Sequence, residues 1–370
     1  MDPIGQIARH FPLVARPRPV CVPAARRVAD LRDRARRAVR NRDLTEVSAV
    51  HNQAALVASD CGLPGLARQW CHRQANTYLR AHPLGAQAAR LALEPMTNLA
   101  RLYIREGQGE RAFELMHTMY AGVSSRTDTN VDGVEIPADL TNSLQAHQEV
   151  RRYVWAVLLA TGARALAVAG RWADACTRLR EYKGIGRRMF DGRQVAVIAH
   201  ATSGDVDGAR ALIRGTAPGK PWENAVTACL TILCRSSSDI ADLDTLLAQY
   251  DVLDTSAPGL TVFHTRLGLS FVDAIGTVDD APARHIAVNL IDRAIASQDG
   301  YAARDVLAHS GCRELLTDRR TGELTDLVEA CALNRGTLPA TLVADLTTVL
   351  ASVEEVIVRT VTSETNHATN

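Results

Sequence analysis

A chain of 370 residues that is 46% hydrophobic and 22% charged has enough apolar material for a sizeable core, and its net charge of +1 excludes a global electrostatic pull toward nucleic acid or membrane. The apolar content is mostly Ala, Leu and Val, with aromatics at only 4%, a composition that favours closely packed helices. The eight cysteines are scattered and form no C-x-x-C pair, which argues against a disulfide framework and a zinc site, so no metal and no cofactor is expected.

The start, MDPIGQIARHFPLVARPRPV, lacks the basic-then-apolar order of a secretory signal. The most apolar window, Tyr153–Gly170, is broken by Arg164, so no membrane contact is expected and the chain reads as cytoplasmic. Residues 1–44 read as an N-terminal extension with an Arg-rich capping helix over Ala25–Asp43. Arg26, Arg27, Arg34, Arg37 and Arg40 share much of one side there, while Val28, Leu31, Ala35 and Val39 form an apolar strip. Such a helix can touch phosphate, but Asp30, Asp33 and Asp43 are interspersed and no base-reading motif is present; a solvated cap is the reading, with no nucleic-acid binding by the chain on its own.

From residue 45 onward a spacing recurs: a turn Gly, then Ala five residues later. It occurs as Gly62 and Ala67, Gly107 and Ala112, Gly170 and Ala175, and Gly204 and Ala209, each between two Ala-rich helical patterns. Gly takes the left-handed conformation that ends one helix. The Ala falls in the first turns of the next, where a larger side chain would push an antiparallel partner away. The stretch NLARLYIREGQGERAFELM is the clearest instance, and with it the chain resembles the tetratricopeptide repeat family: Leu99, Ala100, Tyr103, Gly107 and Ala112 stand where that family places its Leu, small residue, Tyr, Gly and Ala. The turn glycines lie 45, 63 and 34 residues apart against a family period of 34. The longest interval contains the polar stretch 122–143, read as an inserted loop.

The resemblance implies an all-α fold: an α-solenoid of antiparallel helix pairs, in a right-handed superhelix over residues 45–215, with an irregular helical C-terminal half over 216–359 and a disordered tail at 360–370. Helices are expected over Trp222–Arg235, Asp239–Tyr250, Thr261–Ile275, Ala281–Ala296, Tyr301–His309, Gly322–Asn334 and Leu338–Val358, with Ser236 and Ala241 a weak fifth repeat of the spacing. No strand alternation is evident; LTVFHT near Leu260 is the only candidate.

A search for chemistry finds no H-E-x-x-H, no nucleophile elbow and no phosphate loop. The G-x-G of KGIGRRMFDG follows a helix where a nucleotide fold needs a strand, and Cys71 and His72 point apart on consecutive helical positions. No catalytic residue is assigned. The family instead implies a concave surface lined by first helices, and registering the turns at Gly62, Gly107 and Gly170 places Asn52, Gln53, Asn98, Arg101 and Arg105 toward it. Asn and Gln pair with peptide backbone, and Arg takes a carboxylate bidentately. The function expected is a non-catalytic adaptor, scaffold or regulatory module that binds a peptide or protein, and self-association is compatible with it. The alternatives are a peptide- or ligand-sensing component of a bacterial transcriptional regulator, or an enzyme of a specialised-metabolite pathway with a pocket in the helical array.

Overall fold

The computed structural model describes residue 5, residues 10–235 and residues 243–368, with side chains to residue 363; Ser236 and Ala241 lie outside the described residues. The described chain is helical almost throughout, and each turn glycine closes a helix. Gly62, Gly107, Gly170 and Gly204 all have positive φ, between 72° and 85°. At the first three, the Gly N–H bonds the carbonyl three residues back and the next N–H reaches five back (Leu63 to Ala58, Gln108 to Tyr103, Arg171 to Leu166). That pair of bonds is the Schellman closure. Ala67, Ala112, Ala175 and Ala209 are completely buried, and each donates the first backbone bond of its helix to the residue after the glycine.

Contacts divide the chain into two units, neither of them a continuous stretch. One comprises residues 23–165 and 332–370, and the other residues 1–22 and 166–331. Gly62 and Gly107 therefore fall in one unit, and Gly170 and Gly204 in the other.

The first unit contains α1 (Ala24–Asn41), α2 (Leu44–Asp60), α3 (Pro64–Leu79), α4 (Ala86–Arg105), α5 (Gly109–Ser125) and α6 (Leu144–Val157). Consecutive helices pack on one another, and α2 also touches α4 and α4 touches α6. On α1, Val28, Leu31, Ala35 and Ala38 turn inward, while Arg26, Arg37 and Arg40 are exposed. Leu99, Ala100 and Tyr103 of α4 are buried. A π-helical turn, Leu158–Gly162, leads into α7 (Ala163–Val168).

The stretch 122–143 is not simply a loop. α5 runs to Ser125, and β1 (Thr129–Val131) pairs antiparallel with β2 (Val134–Ile136). Asp132 and Gly133 make its two-residue turn with φ of 53° and 85°, both left-handed, as an Asp-Gly hairpin requires. The Asp132 carboxylate receives the Tyr103 hydroxyl at 2.7 Å and Arg111 at 3.2 Å, which fastens the hairpin to α4 and α5.

The second unit contains α8 (Trp172–Glu181), α9 (Asp191–Thr202), α10 (Val206–Arg214), α11 (Pro221–Leu233), α12 (Leu243–Asp251), α13 (Thr261–Ile275), α14 (Ala281–Ser297), α15 (Gly300–Ala308), α16 (Ser310–Leu315) and α17 (Asp318–Ala330). LTVFHT is thus the start of a helix, not a strand. The KGIGRRMF segment between α8 and α9 is sealed by protein groups: Arg193 donates to the Gly186 carbonyl at 2.9 Å, and Arg188 forks onto the buried Glu223.

The chain then returns to the first unit with α18 (Ala340–Ala368), which packs on α1, α2 and α3 and continues through most of the stretch read as a tail. Just before it, the Asn334 and Gly336 N–H groups bond the carbonyls of Asp60 and Cys61. A Cβ on Gly62 would lie 2.9 Å from the Gly336 nitrogen, so this glycine meets both a left-handed φ and a backbone crossing.

Candidate functional site

The α2–α4 contact places Asn52 beside Asn98, and their side chains form a ladder. Asn52 donates its amide to Glu94 at 3.0 Å and accepts the amide of Asn98 at 2.9 Å; Asn98 accepts Arg101 at 3.0 Å. Asn52, Glu94 and Asn98 are half-buried, while Arg101 is exposed. Burial pushes the Glu94 carboxyl above its ordinary range, against the pull of Asn52, Arg90 and Arg101. Beside it the Tyr153 hydroxyl is pushed up to about 12, by burial first and then by the Glu94 charge, and the Arg90 guanidinium lies 5.2 Å over the Tyr153 ring.

The other two sequence-assigned groove residues face neighbours. Gln53 accepts Arg34 of α1 at 2.6 Å, and Arg34 also binds Glu46 at 2.7 Å. Arg105 reaches the buried Asp60 at 3.0 Å, whose other oxygen takes Arg27 at 2.7 Å. Asn52, Asn98 and Arg101 therefore come together in one chain of bonds; Gln53 and Arg105 flank it in separate ion-pair clusters. Glu94 belongs to the ladder and was not singled out from the sequence. Its signal was its position, one helical turn before Asn98 on the same face.

A cleft of about 730 Å³ lies between α3 and α18 and is lined by Arg73, Arg80, His82, Glu354, Val358 and Arg359, among others. Glu354 binds the buried His51 at 3.1 Å and Arg73 at 2.8 Å, and these partners hold its carboxyl below the usual range despite burial. The Glu354 charge is thus met from two elements, His51 of α2 and Arg73 of α3.

Cys71 and His72, neighbours in sequence, meet different surroundings. The Cys71 thiol is pushed up to about 12 by burial, while His72 faces Asp132 at 3.4 Å. His200 bonds Asp205 at 2.6 Å. Among the described residues, no group of three or more His, Cys, Asp or Glu is placed to hold a metal ion, and no helix is long and apolar enough to cross a membrane.

No family model, curated protein or solved structure matches the chain.

Proposed function

We propose that the chain is a non-catalytic helical-repeat protein that holds a peptide or protein partner, built on tetratricopeptide-like helix pairs stacked as a solenoid. The observation that carries this reading is the Asn52–Glu94–Asn98–Arg101 ladder between two neighbouring first helices. Each carboxamide nitrogen has a second N–H beyond the one used in the ladder, and Arg101 is an exposed cation at its end. Two amide donors and a guanidinium in a row suit peptide carbonyls and a carboxylate. The left-handed glycines and the buried alanines five residues after them support the repeat reading.

The test is capture from the native host by wild type and by the Asn98→Ala/Arg101→Ala double variant, with mass spectrometry of what each retains. Loss of a specific partner by the variant, at matched melting temperature, is expected. Equal capture by both proteins removes the ladder from the binding site.

A further inference from the structure

Residues 11–23 belong to no helix or strand, yet this segment is gripped along its length by the unit formed with residues 166–331. The Gln194 carboxamide, fully buried on α9, pairs with both backbone groups of Leu13: it accepts the Leu13 N–H at 2.6 Å and donates to the Leu13 carbonyl at 2.7 Å. This is the pairing a neighbouring strand would offer. Further along, the Arg18 N–H donates to the Gly259 carbonyl at 2.9 Å. The Cys21 N–H reaches the Asp299 carboxylate at 3.3 Å, and the Cys21 carbonyl takes the Gly300 N–H at 2.8 Å. At the near end, the His10 imidazole bonds the buried Ser270 hydroxyl at 3.1 Å. Gly259 is shaped to the segment: its φ is 76°, and a Cβ there would lie 3.0 Å from the Arg18 carbonyl oxygen.

The segment is held as a ligand is held. Phe11 and Leu13 are buried anchors, Arg16 pairs with Asp191 at 2.9 Å, and Arg18 lies 5.0 Å over the Tyr301 ring. Between the grips Arg16, Pro17, Pro19 and Val20 are exposed. Pro12, Pro17 and Pro19 bias the segment against helix and toward an extended form, which lowers the entropy lost on docking.

We propose that this strap is a self-ligand, filling a groove that reads the backbone of an extended peptide and that takes, in trans, a free peptide with the same aromatic–Pro–aliphatic core and trailing arginines. The proposal is independent of the α2–α4 ladder, because its contacts all lie within the other unit. In the intact chain the tethered strap competes at an effective concentration in the millimolar range or above, so the groove is closed to weak binders.

The experiment uses the full chain and a fluorescein-labelled peptide of residues 10–22 with Cys21→Ser, read by fluorescence anisotropy. Phe11→Ala loosens the strap and leaves the groove intact, so this variant binds the peptide at least about tenfold tighter than wild type does. Adding Gln194→Ala abolishes that gain, and a peptide with alanine at both anchor positions does not bind. Equal binding by wild type and Phe11→Ala, or none to a folded Phe11→Ala protein, overturns the proposal. Should Phe11→Ala not fold, hydrogen exchange of wild type decides. Leu13, Arg18 and Cys21 amides that exchange well before the buried amides of α13 support a releasable strap, and exchange only together with them overturns it.

Discussion

Asn52 and Asn98 in one unit and Gln194 in the other are all carboxamides on helices, used in opposite ways. Asn52 spends its oxygen on Asn98, Asn98 spends its own on Arg101, and both stay only half-buried. Gln194 is sealed from water and spends both ends on the backbone of a single distant residue, with a further bond to the Met189 carbonyl at 3.0 Å. The difference teaches that a polar residue on a helix face is not yet a recognition element. What separates the two cases is whether removing the amide leaves a buried backbone group without a partner, since water can replace an exposed bond but not a buried one.

The sharpest way to break this comparison is to delete each amide. Gln194→Ala orphans the Leu13 N–H and carbonyl, and at about 1–3 kcal/mol for each unsatisfied buried group the expected loss of stability is about 3 kcal/mol. Asn98→Ala is expected to cost under about 1 kcal/mol, because solvent reaches its partners. Denaturant titration of both variants checks this, and equal losses would dissolve the distinction.

Ala112→Leu probes the packing behind the ladder. Ala112, the fourth residue of α5 and the donor of its first backbone bond, is completely buried, and a larger side chain there should overpack the crossing by about 1–3 kcal/mol. An unchanged melting temperature would show that the site has room.

Two glycines sharpen the comparison further. Gly259, beneath the strap, and Gly107, at the turn after the ladder helix, have nearly the same φ, 76° and 75°. Only Gly259 has strap backbone within van der Waals distance of a Cβ, and nothing approaches Gly107. Gly107→Ala should cost about 1 kcal/mol from the left-handed conformation alone. Gly259→Ala should cost about 1 kcal/mol more and also raise protease cleavage within residues 10–22, because the strap must lift. Equal melting temperatures and equal cleavage would contradict this.

A pH dependence of opposite sign also separates the two regions. His10, anchoring the strap and faced by Arg266, Asp305, Asp273 and His309, has its pKa lowered from 6.5 to about 4, chiefly by burial. The unfolded chain binds that proton more readily, so the His10 contribution to stability is lost as pH falls from 6.5 toward 4. Glu94, in the ladder, has its carboxyl raised, so the folded state holds that proton better and acidification favours it. His10→Ala should flatten the stability–pH curve below 6.5, and Glu94→Gln should remove the opposing contribution. Melting curves across pH 4–7 for both variants read the two slopes.

Much of the helical layout was legible in the sequence because its punctuation is chemical. Thr261–Ile275 is expected and observed with the same bounds, Ala281–Ser297 runs one residue past expectation, and Gly300–Ala308 begins and ends one residue early. The hairpin was hidden because two three-residue strands are too short for alternation to register, leaving only the Asp-Gly turn as a signal inside a polar stretch. Asn52 and Asn98 were found because each lies in the helix that precedes a turn glycine, although the register that aligns the turns pairs Asn98 with Gln53 and leaves Asn52 one residue away. Gln194 was not, because it stands just before the apolar run Val195–Ala199 with no motif to mark it, and the residue it reads is 181 positions earlier. Periodicity reports which face is buried, but a contact across so much chain leaves no local trace.

The placement of α18 has a consequence for how the protein is made. Leu346, Leu350, Val353 and Ile357 of that helix are buried, and they close the unit begun by residues 23–165. On the ribosome, α1, α2 and α3 emerge first, and their covering helix emerges only after all of residues 166–331. At about 5–20 residues per second, that unit waits many seconds with an apolar face uncovered while the intervening unit has already received its strap and its helices. Completion of the earlier-started unit is therefore a late event in synthesis, and chains released before residue 340 lack the helix that would finish it.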